Sequence, residues 1–296
     1  MSWHFPDGSL RTETTLATVT PEIAGWTYSG IQIFNFAKRL TVELTMTGVE
    51  GVLLPLSAQN LQVTLNDAPF TLKGRSGVFA AVSDWLYLPV NSKVSITGTT
   101  GEFALCTART TQEFPAYYTA AQDVSVEVRG SGQATRQVTN IATSSSFAGA
   151  HKINVCEVLT PGANWSSWPP HRHDGIGDCP YNNEEIYYFR IGTTIGDHGD
   201  PDGQGLFHVY TVDGEVDETT TLHDGDIYIV PKGFHGPSVA APEYPLYFLN
   251  VLAGPAQDRT MAFCDDPAHH WIRDSWTTQV QDPRCPMTNA EGKVTR

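Results

Sequence analysis

Three short segments of this chain carry side chains that could hold one metal ion between them. They are Pro169-Pro170-His171-Arg172-His173-Asp174, Asn183-Glu184-Glu185-Ile186-Tyr187-Tyr188 and Pro231-Lys232-Gly233-Phe234-His235. Side chains on a β-strand alternate between faces, so His171 and His173 point the same way and can reach the same ion. A carboxylate from Glu185 and a third imidazole from His235 complete a set of three histidines and one carboxylate. Such a set suits Zn, Mn, Fe or Ni and leaves coordination positions open for a substrate. Glu184 competes with Glu185, because a register shift of one residue exchanges the two faces. Cys179, in the loop between His173 and Glu185, is a candidate extra thiolate ligand, although loop thiols without an electropositive setting are commonly bystanders.

A His-x-His pair alone is weak support for a metal, since histidines often sit on ordinary surfaces. The context strengthens it. Trp165-Ser166-Ser167-Trp168-Pro169-Pro170 forms a stiff approach to His171, and proline fixes φ before the strand begins. Glu185 opens a strongly β-forming run that places Glu185, Tyr187 and Phe189 on one face. His235 follows a Pro-Lys-Gly turn, where an imidazole can point into a barrel mouth. The context of His198, His223, His269 and His270 is polar or turn-like and reads as surface, whereas His208 lies in a strand and can face either way.

The elements that must position these residues are strands. Runs at 40–46, 51–56, 61–65, 85–89 and 93–97, then 152–159, 185–191, 206–212, 226–230 and 246–252, are β-rich and bounded by turn residues. The spacing predicts an all-β sandwich or barrel, and the best helical stretch is a short one near Ala116–Gln122. Asp84-Trp85-Leu86-Tyr87-Leu88-Pro89-Val90 echoes Asp226-Ile227-Tyr228-Ile229-Val230-Pro231-Lys232, which suggests two related barrels in tandem. The boundaries read as 1–125 for a first barrel without a histidine pair, 126–283 for the metal-binding barrel, and 284–296 for a loose, apolar-poor tail.

With 296 residues, 40% hydrophobic and 17% charged, the composition is globular, and a net charge of −14 argues against nucleic acid or anionic membrane as partner. A small-molecule ligand is expected, and no run of apolar residues is long enough to span a bilayer. The segment Met1–Gly8 has no basic flank followed by an apolar stretch, so it does not read as a secretory signal. Five dispersed cysteines, Cys106, Cys156, Cys179, Cys264 and Cys285, read as reduced thiols in a cytoplasm. Exposed sheet edges permit a homo-oligomer without requiring one.

Taken in order, Arg129-Gly130, Arg136-Gln137-Val138, Trp165 to Asp174, Glu184 to Tyr188, Val209 to Gly214 with Asp217-Glu218, Gly225 to His235 and Tyr247 to Gly254 resemble the 5-deoxy-glucuronate isomerases of myo-inositol catabolism. The resemblance covers most of residues 26–273. That family is similar to the 4-deoxy-5-ketouronate isomerases and has a tandem cupin (bicupin) fold of two jelly-roll barrels. By this likeness His171, His173, Glu185 and His235 match the metal ligands. Phe207-His208 departs from the pattern, since a Gln-Arg pair is common in the family while the ketouronate relatives carry Phe-His.

What the resemblance implies is an aldose–ketose isomerase that converts 5-deoxy-D-glucuronate to 5-dehydro-2-deoxy-D-gluconate with a divalent ion, zinc foremost. Isomerisation of a related deoxy-ketouronate, or iron-dependent cupin dioxygenase chemistry, is the alternative. An open-site ion can stabilise the enediol through which the proton moves. Glu184, Tyr187, His208 and Lys232 are candidates to carry that proton. The substrate carboxylate calls for an arginine fork, for which Arg129 and Arg136 are preferred. Alternation turns Arg172 and Arg190 away from the ligand face.

Overall fold

Strand Leu246–Ala253 is buried at all eight positions and Trp85–Leu88 at all four. A sheet with one wet face would alternate; these strands do not, because both faces of their sheets are covered. The structure, a computed structural model, describes residues 3–37, 40–193 and 199–294. Within them two antiparallel barrels lie in tandem, in the manner of a bicupin. In the first, Tyr117–Thr119, Trp85–Leu88, Val49–Pro55, Glu102–Arg109, Ser29–Asn35 and Ala17–Val19 form one sheet in that spatial order. It is accompanied by Thr41–Thr45, Lys93–Thr97, Gln59–Leu65 and Ala68–Gly74. The large sheet of the second runs His4–Phe5, Ile227–Val230, Glu184–Ile191, Leu246–Ala253, Asn154–Thr160, Arg136–Asn140 and Ser125–Arg129. Its companion sheet runs Asp217–Leu222, Gly205–Tyr210, Phe234–Ala240, His171–Arg172 and Cys264–Asp265.

Alternation divides each large-sheet strand between two cores. Leu53, Leu86, Leu88, Phe103 and Leu105 fill the first barrel with Phe34 and Phe36. Their neighbours Val52, Leu54, Trp85, Tyr87 and Cys106 point the other way, into a layer shared with Ile186, Tyr188, Leu249 and Val251 of the second barrel. Tyr187, Phe189, Phe207, Val158 and Phe248 are packed inside the second barrel. Each such side chain contributes about 1.5–3 kcal/mol on burial, so the layer between barrels is a core in its own right.

Buried carboxylates pin that layer. Glu50 accepts from the backbone N–H groups of His151 (2.9 Å), Lys152 (2.5 Å) and Ile153 (2.9 Å) and from the Tyr87 hydroxyl (2.7 Å). Glu157 pairs with Arg75 and accepts from Tyr247 at 2.6 Å. Arg190 bridges Glu102 of the first barrel (2.7 Å) and Asp224 of the second (2.8 Å).

The echo between the barrels has a structural basis. Asp84 accepts from Lys73 N, Gly74 N and the Tyr118 hydroxyl, and Asp226 accepts from Asp7 N and His223 N while pairing with His4. Each buried aspartate leads into a strand and ties a neighbouring segment to it.

Four expectations are corrected. The N-terminal strand His4–Phe5 pairs with Ile227–Val230, so it belongs to the second barrel's sheet. Residues 284–294 are no loose tail: Thr288–Asn289 and Gly292–Lys293 form a hairpin, Asn289 O accepts from Val82 N, and Met287 N and Thr288 N donate to Gln137. The stretch near Ala116–Gln122 is a short strand, Tyr117–Thr119, running into a 3-10 turn at Ala121–Asp123, because Tyr117 and Tyr118 pair with Tyr87 and Leu86. Cys179 and Cys264 form a disulfide, which overturns the reading of five reduced thiols and removes Cys179 as a thiolate ligand; Cys106, Cys156 and Cys285 are buried and take no part in a disulfide among the described residues. No described helix is long and apolar enough to cross a membrane.

Candidate metal centre and substrate cavity

His171 and His235 are cross-strand partners in the companion sheet, with ring centroids 4.5 Å apart. His173, two residues further on, lies 4.9 Å from His235. Glu185 reaches in from the opposite sheet. Its Oε2 is 2.8 Å from His173 Nε2 and 2.9 Å from His235 Nε2, and the ligand atoms of these three residues all lie within 4.8 Å of one another. His171 stands beside the trio between His235 and Phe263, 4.5 Å from each ring.

The tautomers follow from the backbone. Nδ1 of His173 meets Asn183 O at 2.9 Å, Nδ1 of His171 meets Pro169 O at 3.3 Å, and Nδ1 of His235 faces Gly233 O at 3.4 Å. A carbonyl only accepts, so each Nδ1 carries the hydrogen and each neutral ring offers a lone pair at Nε2. Two such lone pairs then face one carboxylate oxygen, an arrangement that calls for a cation among them, whether a proton or a metal ion. His235 Nε2 is buried and, despite its proximity to Glu185, has no partner with hydrogen-bond geometry. An orphaned imidazole nitrogen beside a second imidazole and a carboxylate is a donor set that fits a divalent transition metal.

The charges agree with the geometry. Burial alone would raise the Glu185 carboxyl, but the nearness of the His235 and His173 imidazoles, which favours the carboxylate form, holds it far below the usual carboxylate range. Burial, and then the neighbouring His235, drives His171 well below its ordinary value, so it is neutral. His173 is raised: burial opposes its charge, and the bond to Glu185 outweighs burial.

A cavity of about 430 Å³ opens beside the cluster. His171, His173, Glu185 and Tyr187 line one part of it; Arg129, Arg136, Arg273 and Trp276 line another. Between them lie Asn140, Cys156, Asn250, Val138, Val158 and Phe248. Arg129 pairs with Glu127 at 2.9 Å, and Arg273 holds Asp265 through two nitrogens. Arg136 donates to Ala134 O and lies 5.7 Å over Trp276, and it forms no ion pair among the described residues. Burial, with Arg129 and Arg273 nearby, lowers its pKa to about 10, so it remains charged at neutral pH.

Of the four proton-transfer candidates, Tyr187 alone lines this cavity. Burial, then the Glu185 charge, raises its phenol well above the ordinary value, and its hydroxyl lies 3.5 Å from Ser167 Oγ. Glu184 points to the other face, where it accepts from Thr27 N (2.7 Å), Tyr28 N (2.7 Å) and Ser29 N (2.8 Å) of the first barrel. His208 faces outward to Asp217 at 2.9 Å, because its neighbour Phe207 takes the inward position. Lys232 is paired with Glu215 at 2.6 Å outside the cavity. Arg172 is buried against Asp174 and Asp178, and Arg190 spans the barrels as described. His198 lies outside the described residues. His223 is exposed, and His269 packs on Trp168.

Asn140, Asn250, Phe263, Arg273 and Trp276 are cavity residues that the sequence reading did not single out. Asn250 had a signal, a polar side chain in the inward set Phe248, Asn250, Leu252. Residues 261–276 had none, since that wall lacks strand or helix periodicity and is placed by the disulfide and by Asp265.

Two tandem antiparallel barrels, one apolar throughout its core and the other holding a histidine–carboxylate cluster beside a cavity, define a cupin-like two-barrel protein. Within that class the chain belongs to the KduI/IolB family, which matches residues 5–272. It is 36% identical over 276 residues to a 5-deoxy-glucuronate isomerase of Geobacillus kaustophilus, covering 91% of this chain and 95% of that one. It is 33% identical over 262 residues to the 5-deoxy-glucuronate isomerase of Bacillus subtilis strain 168, covering 86% and 91%. An IolB-like protein from Salmonella typhimurium LT2 superposes with a TM-score of 0.80 at 31% identity, over 91% of this chain and 98% of that one. The oxalate decarboxylase of Lactobacillus farciminis, in its formate complex, gives 0.61 at 14% identity over 87% and 88%, a likeness of fold alone.

Proposed function

We propose that this chain is a metal-dependent isomerase that converts 5-deoxy-D-glucuronate to 5-dehydro-2-deoxy-D-gluconate. The observation that carries the reading is the pair of Nε2 lone pairs converging on Glu185 at a cavity that also holds Arg136, in a chain whose relatives bear the isomerase name. His173, Glu185 and His235 would hold the ion, with His171 as the fourth ligand; zinc is the first choice and Mn, Fe or Ni the others. When bound, the ion supplies Lewis-acid stabilisation of negative charge on the substrate's adjacent oxygens.

The remaining work falls to side chains. Arg136, charged and without an ion-pair partner among the described residues, binds the substrate carboxylate, and Arg129 stands near it. That anchor and the cluster together fix the sugar acid in its open form. Tyr187, held as a protonated phenol, donates to the carbonyl oxygen at C1 as it gains charge on the way to the enediol. Phe263 and Trp276 help to keep water from it.

The test is incubation of purified protein with 5-deoxy-D-glucuronate, followed by NMR, with and without a chelator, in air and under argon. Ketose formation that survives argon and is lost on chelation is expected. Metal-replete protein that forms no ketose overturns the assignment, and a requirement for oxygen replaces it with dioxygenase chemistry.

A further inference from the structure

Strand pairing lays the cavity floor in rows of contrasting polarity. One row crosses it as Asn140, Cys156, Asn250 and Tyr187, each the registered partner of the next. The adjoining row is Val138, Val158, Phe248 and Phe189, again partner to partner and entirely apolar. Arg136 lies two residues before Val138 on the same strand, hence beyond the apolar row as seen from Asn140. Glu185 lies two residues before Tyr187, on the far side of the polar row. Successive rows are about 7 Å apart along a strand.

From the guanidinium to the histidine–carboxylate cluster, a ligand therefore meets hydrocarbon first and amides second. Val138, Val158 and Phe248 all line the cavity as well as the core. The amides have capacity to spare: among the described residues, Asn250 Nδ2 makes a single long bond, 3.4 Å to Ile186 O. Asn140 is steadied from behind, its Nδ2 donating to Glu127 Oε1 at 2.6 Å.

We propose that Val138, Val158 and Phe248 form a specificity step, which selects acids carrying a methylene rather than a hydroxyl-bearing carbon next to the carboxylate. Resting on the isomerase reading for its substrate, the step accounts for preference of a sugar acid deoxygenated beside its carboxyl group. A hydroxyl at that carbon would lie over valine and phenylalanine, stripped of water and without a partner. Hydroxyls further along the chain would reach Asn250 and Asn140. An apolar pocket rejects an added hydroxyl by roughly a hundredfold.

The test uses two stable, open-chain acids that differ only at that carbon, 2-deoxy-D-gluconate and D-gluconate, with dissociation constants from calorimetry. Wild-type protein should prefer the deoxy acid by roughly a hundredfold, and Val158→Thr should cut the preference at least about tenfold. Val138→Thr tests the same step from the neighbouring strand, should Val158→Thr fold poorly. Val158→Ile, which adds bulk without polarity, should keep the preference, and Arg136→Met should weaken both acids. The inference is overturned if wild-type protein binds the two equally or binds neither, if both threonine variants retain the wild-type ratio, or if Arg136→Met leaves binding unchanged. Failure of the isomerase reading would instead appear as absence of turnover of 5-deoxy-D-glucuronate, whatever these constants are.

Discussion

Glu184 sits next to a proposed ligand and carries the right functional group for a base, yet its carboxylate is occupied elsewhere, and substitution separates the two roles. Oε2 accepts from Tyr28 N and Ser29 N, and Oε1 accepts from Thr27 N. In Glu184→Gln the amide oxygen can take the Oε2 position and keep two bonds, while its NH2 confronts the Thr27 N–H. The two bonds that remain go to a neutral acceptor in place of a charged one, a cost of about 1–3 kcal/mol. Glu184→Ala leaves all three donors without their partner; Thr27 is exposed and recovers water, so the total comes to about 3–5 kcal/mol. Against a whole-domain stability of about 5–15 kcal/mol, that is enough to loosen the docking of the barrels. Urea unfolding measures the loss, and turnover per folded molecule measures the chemistry. Glu184→Gln should be less stable with turnover little changed, whereas removal of a general base costs about 10²–10⁴ in rate. A Glu184→Gln protein of wild-type stability with turnover reduced a hundredfold or more would refute the reasoning.

Other perturbations probe the supports of the site. Arg75→Met strands the buried Glu157 charge and should cost about 3–5 kcal/mol in urea unfolding, while Arg75→Met with Glu157→Gln recovers most of it. Cys264→Ser releases a cross-link spanning 85 residues, worth up to about 4 kcal/mol; a dithiol reductant should lower wild-type stability toward that of the variant and leave the variant unaffected. Acid should free the C-terminal hairpin. The Arg284 hydrogen bond outweighs burial and, with the backbone of Arg284 and Asn164, lowers Asp282 to about 2 from 3.8. A depressed folded pKa means that this contribution is complete above the unfolded value and is lost as pH falls from about 4 toward 2. The protection of the Thr288 and Asn289 amides, taken relative to intrinsic exchange at each pH, should fall over that window in wild-type protein, and Asp282→Asn should show the lower protection already at neutral pH.

Parts of the site were legible because chemistry and strand period coincide in the residues themselves. His171 with His173, and Glu185 with Tyr187, are two apart and share a face in any strand, so the histidine–carboxylate cluster was readable once the register of Glu185 was chosen. Glu184 and His208 were ambiguous for the same reason. Alternation states that neighbours part, but not which of them meets the cavity, and that was decided by the first barrel's N–H groups around Glu184 and by Phe207 inside the second core. Lys232 sits in a turn, where no period applies.

Strand propensity, turn residues and two-residue alternation are local properties, and they were enough to read an all-β chain with tandem barrels and a candidate histidine–carboxylate set. What lies opposite what is a matter of long-range pairing. Glu185 meets His173 and His235 across two sheets, Val158 falls between Val138 and Phe248 through pairing of distant segments, and Cys264 finds Cys179 across 85 residues. The N-terminal strand and the C-terminal hairpin were misread for the same reason, since both are held by partners far away in the chain. Such contacts depend on how whole sheets stack, and a residue's own neighbours carry no record of that.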